Sequence, residues 1–410
     1  MEGNRMTKGV LTGMRVVEGS AFVAVPLAGM TLAQMGADVI RFDRLQGGLD
    51  AGRWPVTADG KSLFWAGLNK GKRSLAVDMT APEGQEIITS LITAPGPDAG
   101  MFLTNLRTKG WMDYPALSVR RPDLIMVSLL GTRRGEPAVD YTVNPSLGFP
   151  MATGPVGSGD PVAHVLPAWD CIAGQVVVNT LLAAERHRLR TGQGQVAELA
   201  LKDVAAAMLG HLGIIGEVCV NGVDRPKSGN ALYGAYGQDF ATACGNRVMV
   251  IGLTDRQWAG LVRSLAMQDA IAALSAQTGL DLADEGNRYR ARDAITALFA
   301  PWFAARDLAT IAPMFDAAKL TWAPFRSFAG AVQQDPDLSP DNPMFADLMQ
   351  PGIGRYPVPG SPVTSTIFDR LPPQPAPILG QHSEAILADI LGLSPAQIGL
   401  LMDKGITAGP

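Results

Sequence analysis

Cysteine and histidine are scarce in this chain. Three cysteines, Cys171, Cys219 and Cys244, are spread over 410 residues. They cannot all pair and none has metal-ligand spacing, which argues against a disulfide framework and a zinc site. Reduced thiols in the cytoplasm are the plain reading. His164, His187, His211 and His382 are scattered without a His-x-x-x-His pattern, so no metal is expected. A strong charge imbalance is also missing. The formal net charge of −4 offers no electrostatic basis for a nucleic-acid partner. Internal repeats and low-complexity tracts are absent. One uncharged run, Gly19 to Ala37, approaches membrane-span length. It contains Pro26 and Gln34, follows Glu18 and has no basic cluster before it. It therefore reads as strand, turn and helix rather than as a membrane span or signal peptide. No membrane partner is expected.

What remains is core-rich. Nearly half the residues are apolar, 47%, and 18% are charged, in a chain long enough for two domains. The first part alternates strand and helix patterns. Strands are predicted at Met14–Glu18, Ala37–Phe42, Ser74–Val77, Gly100–Thr104 and Leu124–Leu130. Helices are predicted at Pro26–Met35, Pro82–Leu91 and near Pro115–Arg120. This alternation predicts a doubly wound α/β fold with a parallel sheet, and ligands at the carboxyl ends of its strands. After about residue 215 the composition shifts. A strand at Arg247–Leu253 and a mostly helical stretch from Asp255 to Phe315 suggest a smaller α+β domain. From about residue 335 prolines 340, 343, 351, 357, 359 and 362 favour an extended excursion, with a final helix to about Leu391. The expected division is 1–220, 221–330 and 331–410.

Asp170 is the most informative residue. The segment Pro167-Ala168-Trp169-Asp170-Cys171-Ile172-Ala173-Gly174 precedes an apolar stretch from Val176 to Ala184. A carboxylate just ahead of a buried helix meets free backbone N–H groups and the positive helix end. Those would keep it ionised while it is shielded from water, as a carboxylate nucleophile requires. The same placement suits a plain N-cap aspartate, and both readings stand on local chemistry alone. Two basic clusters, Lys70–Arg73 and Arg186–Arg190, are either solvated surface or contacts for a ligand's phosphates.

Asp-x-x-Ala-Gly from Asp170, followed by an apolar helix and then Arg188, Thr191-Gly192 and Gly194-Gln195, resembles the core of the family III CoA-transferases. Further segments in the same order are similar to that family. They are Leu11–Glu18, Leu32–Arg41 with Asp43, Asn69–Asp78, Thr104–Arg107 and Ala376–His382. The resemblance covers essentially the whole chain. It implies a Rossmann-like large domain made from both chain ends, a small domain between them, and two chains interlocked as a homodimer. It also implies a CoA thioester as the small-molecule partner, with CoA entering as part of the substrate and no other cofactor.

Carried over residue by residue, the resemblance makes Asp170 the nucleophile that holds CoA as an aspartyl thioester. Arg44 would bind the CoA nucleotide. Val77, Asn105 and Leu106 would line the CoA groove, and Lys72 and Arg107 would reach phosphates. Backbone N–H groups around Phe22 to Ala24 would face the thioester. The chain departs from the family in three places. It lacks the glycine-rich loop that closes over the acyl-aspartate in some members. Val23 stands where some carry glutamine, and Thr108-Lys109-Gly110 follows Arg107 where Pro-Gly is usual. Racemases of the family place a histidine where this chain has Val139, which cannot accept a proton.

More specific segments resemble a mesaconate-handling branch of the family. They are Val16–Ala24, Leu63–Arg73, Val139–Pro145, His164–Asp170 and Gly229–Gly237. They imply transfer of CoA between C1 and C4 of the same mesaconate. An intermolecular CoA-transferase, a 2-methylacyl-CoA racemase and a non-catalytic CoA-binding protein are the alternatives. Tyr141, Asn144, Asn230, Tyr233 and Tyr236 are candidates for gripping the free carboxylate.

Overall fold

The computed structural model describes residues 8–410. Six strands run parallel, the first five where the apolar patterns place them: β1 (Arg15–Gly19), β2 (Asp38–Asp43), β3 (Arg73–Val77), β4 (Met101–Thr104), β5 (Ile125–Leu130) and β6 (Gln195–Ala200). Most positions in β1 to β5 are buried. Continuous apolar runs of this kind mark strands covered on both faces. Their order is β3-β2-β1-β4-β5-β6, and a seventh strand, Thr407–Ala408, joins β3 antiparallel at the edge. β1 pairs with both β2 and β4, so the chain reverses direction across the sheet between β1 and β4. In doubly wound sheets that switch point opens a crevice at the carboxyl ends of the strands.

Contacts divide the chain into two compact units. One comprises the residues up to Leu147, Val165–Gly216 and Asp335–Pro410, and the other Gly148–His164 and Glu217–Gln334. The first unit is thus built from both chain ends. Val17, Ile40, Phe42, Leu75 and Phe102 share one core with Ile386, Leu387, Ile398 and Ile406. The residues after about Leu391, assigned no element from sequence, form a helix at Pro395–Asp403 and the edge strand. Ser394 opens that helix with a capping box to Gln397. The proline-rich stretch is a hairpin, Phe345–Gln350 against Gly354–Pro359, followed by irregular chain. Both strands are extended, and Pro357 and Pro359 stand in pairs where no ladder N–H is needed.

The second unit has three antiparallel strands, β7 (Tyr236–Ala241), β8 (Arg247–Gly252) and β9 (Thr321–Pro324). Helices pack on them around Tyr236, Trp258, Phe299, Phe303 and Phe315. Residues 148–164 group with this unit, where Gly229 N–H donates to the Gly154 carbonyl at 3.1 Å. Among the described residues no single helix is long and apolar enough to cross a membrane. All three cysteines are free.

Candidate active site

At the switch point, Gly19 ends β1 and the chain turns into the Ala24–Gln34 helix. The turn is held by side chains from three directions. Asn105, just after β4, accepts from Ala21 N–H at 2.9 Å and donates to the Ala21 carbonyl at 2.8 Å. Asp50 accepts from Phe22 N–H at 3.0 Å. Arg41 donates to the Ser20 carbonyl at 3.2 Å. Phe22 itself has φ of +70°, a conformation that costs a bulky residue energy and persists only where its surroundings fix it. Of the N–H groups around Phe22 to Ala24 expected to face the thioester, that of Phe22 is taken by Asp50. Val23 and Ala24 open a helix without a side-chain cap. Their N–H groups remain available beside the cavity they line.

Beneath the turn lies a cluster of buried charges. Arg41 donates to Asp43 at 2.9 and 3.1 Å, to Asp50 at 2.7 Å and to Asn69 at 3.1 Å. Burial opposes the guanidinium's charge, but Asp43, Asp50 and Glu18 outweigh it and hold its pKa above the ordinary value. Lys72 is also part of this cluster, which corrects its expected role. Its ammonium donates to Glu18 at 2.8 Å, to the Pro26 carbonyl at 2.8 Å and to Asn69 at 2.9 Å. All three donors are spent, its side chain is fully buried and it reaches no phosphate. Burial pushes its pKa down to about 8 even with Glu18 beside it. Gly29 makes room for the arrangement, since a Cβ there would stand 1.7 Å from Glu18 Oε2.

Asp170 is the third residue of the 24-residue helix Ala168–Thr191, not a residue ahead of it. The free donors expected to hold its carboxylate go elsewhere. Asp140 Oδ2 accepts from Trp169 N–H at 2.8 Å and from Asp170 N–H at 3.3 Å. Asp140 is buried, and its Oδ1 has no hydrogen-bond partner among the described residues. Asp170 is therefore not held in an unusually acidic state. Burial, then the Asp140 charge, push its pKa up to about 6, with Arg53 acting in the opposite direction. This helix packs closely along Ala24–Gln34. The contact needs Gly174, where a Cβ would approach the Ala24 carbonyl oxygen to 2.7 Å. The glycine of the Asp-x-x-Ala-Gly pattern thus brings the two helix starts together.

Asp170 faces a cavity of about 600 Å³ lined also by Val23, Ala24, Asn105, Val139, Asp140 and Tyr141, with Arg53, Trp54 and Phe64. A second cavity, about 800 Å³, lies at the ends of β1 to β4. Arg44, Leu106, Arg107 and Lys109 line it, with Ser20 and Ala21. Asn105 lines the first cavity and Leu106 the second, and the turn borders both, with Phe22 to Ala24 on the first and Ser20 and Ala21 on the second. Val77 lines neither. It is fully buried in the sheet core, with Asp78 and Met79 reaching the second cavity in its place. Of the carboxylate candidates, Tyr141 alone lines the Asp170 cavity. Asn144 accepts from Trp169 Nε1 at 3.1 Å. Tyr233 is engaged with Glu217 and Tyr236 is buried among aromatic rings. Asn230 lines a cavity of the second unit. Among the described residues no group of three or more His, Cys, Asp or Glu could hold a metal ion. Asp140 and Arg53 had drawn no role from the sequence. Asp140 sat in a segment read for its missing histidine and for its resemblance to the mesaconate-handling branch, and nothing around Arg53 marks it.

A family model described as CoA-transferase family III matches residues 11–383. The chain belongs to that family. This family III CoA-transferase is 59% identical over 404 residues to the 2-methylfumaryl-CoA isomerase of Chloroflexus aurantiacus, covering 98% of this chain and 99% of that one. It is 27% identical to the succinyl-CoA:mesaconate CoA-transferase of Haloarcula hispanica, covering 92% and 96%. Its fold matches the crystal structure of a CAIB/BAIF family protein from Brucella suis with a TM-score of 0.75. That match is at 24% identity, over 93% of this chain and 100% of that one.

Proposed function

We propose that this transferase moves CoA between the C1 and C4 carboxyl groups of one mesaconate, interconverting 2-methylfumaryl-CoA and 3-methylfumaryl-CoA. The end-to-end 59% identity to a 2-methylfumaryl-CoA isomerase carries this reading. Asp170 is the proposed nucleophile. With a pKa near 6 it is mostly ionised at neutral pH and more basic than an ordinary carboxylate. Its carboxylate attacks the C1 thioester carbonyl, expelling CoA thiolate and leaving a mixed anhydride. The thiolate attacks the aspartyl carbonyl, giving aspartyl-CoA and mesaconate. The C4 carboxylate of that mesaconate then attacks the aspartyl thioester, and the thiolate finally takes the C4 acyl group, restoring the Asp170 carboxylate.

Covalent catalysis divides one hard exchange into four easier displacements. Each passes through an oxyanion, for which the Val23 and Ala24 N–H groups are suitable donors. Keeping mesaconate in place makes the second half intramolecular, an advantage of about 7–11 kcal/mol in the best-oriented systems. The basic groove of Arg44, Arg107 and Lys109 suits the nucleotide end of CoA, with Asn105 and Leu106 at its border. The chemistry calls for no metal or redox cofactor. The interlocked homodimer and a cytoplasmic location belong to the same proposal.

Chromatography of products from mesaconyl-C1-CoA, with labelled free mesaconate present, tests the reading. The C4 isomer without label in the CoA ester is expected. Label in the ester would mean intermolecular exchange, and no isomer would overturn the mesaconate assignment.

A further inference from the structure

We infer that Arg53 is the specificity-determining cation of the site, pairing with the free carboxylate of a dicarboxylic acyl-CoA while Asp170 works on the other end. The inference rests on the reaction proposed above and names the residue that confines its substrate.

The Asp170 cavity carries two carboxylates, Asp170 and Asp140. A dianionic acid released there would be repelled by both. Among the described residues lining the cavity, Arg53 is the one lysine, arginine or histidine. Among the described residues its guanidinium makes no salt bridge, unlike that of Arg41, which pairs with Asp43 and Asp50. It is nevertheless positioned. It lies over the Phe64 ring at 5.1 Å and the Phe22 ring at 5.6 Å, measured to the centroids. Cation–π contact with two rings holds the guanidinium at the cavity wall, and among the described residues no acceptor is bonded to its N–H groups. Those groups match a carboxylate in a bidentate pair. The strained turn at Phe22 acquires a reason, because it sets one of the two rings beside Arg53.

Mesaconate has a carboxyl group at each end of a short planar skeleton. In the C1 ester the C4 carboxylate is free, and in the C4 ester the C1 carboxylate is free. One cation in the Asp170 cavity therefore serves both isomers. Between the two half-reactions the diacid exchanges which end meets Arg53, and the same ion pair holds it against escape. A monocarboxylic acyl-CoA has nothing to place there.

The test compares wild-type protein with Arg53→Gln and Arg53→Lys on two CoA esters, mesaconyl-C1-CoA and methacrylyl-CoA, which lacks the second carboxylate. Measurements at pH 8 keep Asp170 ionised in all three proteins. Product formation is followed for the first ester and trapping of the Asp170 thioester by borohydride for both. The expected result is a loss of roughly 100-fold in kcat/KM for mesaconyl-CoA in Arg53→Gln, the order expected when a charge-assisted pair is lost. Trapping from methacrylyl-CoA should change little, and Arg53→Lys should recover part of the loss. Labelled free mesaconate should begin to enter the ester in Arg53→Gln, since the released acid is no longer held. An equal loss on both esters would make Arg53 a structural support of the Phe22 turn and overturn the inference. Unchanged discrimination between the esters would overturn it as well. Wild-type protein that traps the thioester but yields no C4 isomer would overturn the mesaconate reading, and this assignment with it.

Discussion

Two groups of carboxylates sit on either side of the turn after β1, and they are treated in opposite ways. Glu18, Asp43 and Asp50 are buried with Arg41 and Lys72 among them, at distances of 2.7 to 2.9 Å for the close pairs. Asp140 and Asp170 adjoin each other in a cavity with one stacked arginine, and Asp170 is raised to about 6. The first group gives its charge to the fold. The second retains charge that the fold does not neutralise, which is what a reacting group requires. The residue types are the same, and the placement of cations separates support from chemistry.

The largest expected effect removes the reactive member. Asp170→Asn should cut turnover at least about 1000-fold, by loss of the covalent route, while the fold persists. It should also stabilise the protein. A carboxyl group whose folded pKa lies above its unfolded value opposes folding when ionised. The penalty is absent below pH 4, grows between pH 4 and 6 and is constant above. Denaturant unfolding at pH 7.5 should show Asp170→Asn more stable by up to roughly 3 kcal/mol, with the difference closing near pH 4. A destabilised variant at pH 7.5 would mean that Asp170 belongs with the structural carboxylates.

Next is the opposite group. Lys72→Ala leaves Glu18 buried without its ammonium and should cost about 3–5 kcal/mol of stability. Unfolding midpoints in urea measure it, and a change below 1 kcal/mol would dissolve the contrast. A smaller effect separates the two members of the reactive pair. Asp140→Asn keeps an acceptor for the Trp169 and Asp170 N–H groups but removes the neighbouring charge. The acid limb of kcat/KM, set near pH 6 by Asp170, should move down by up to about one pH unit. A limb that stays in place would show burial alone to be responsible. The smallest effect concerns exposed charge. Arg107→Ala should raise KM for the CoA ester roughly two- to fivefold, less at high salt, with kcat unchanged.

Much of this was legible in the sequence, for a physical reason. Parallel strands covered on both faces are continuous apolar runs, and five of the six were visible as such, while the half-exposed β6 was not. In the Asp-x-x-Ala-Gly pattern the glycine carries a physical constraint, because it lets the helix lie close against Ala24–Gln34. The positions of Lys72 and Val77 differ from expectation because a residue near a groove in sequence can turn inward, Val77 into the sheet core and Lys72, just before β3, to Glu18. Whether Lys72 meets a phosphate or Glu18 depends on what lies opposite, in segments far along the chain. Arg53 and Asp140 were missed for the same reason, since their meaning comes from the rings and backbone donors that folding brings to them.

Thr407 and Ala408 complete the sheet of the first unit, and this bears on how the protein is made. Thr407 and Ala408 pair with β3, and Ser74 is bonded to Gly380 and His382. On the ribosome β3 therefore emerges long before its outer neighbour and must wait with one edge uncovered through the synthesis of more than three hundred residues. Such an edge invites pairing with another chain. Replacing Ala408 with proline, which cannot donate to the ladder, would act on this late closure and reduce the yield of folded protein before any effect on catalysis could be seen.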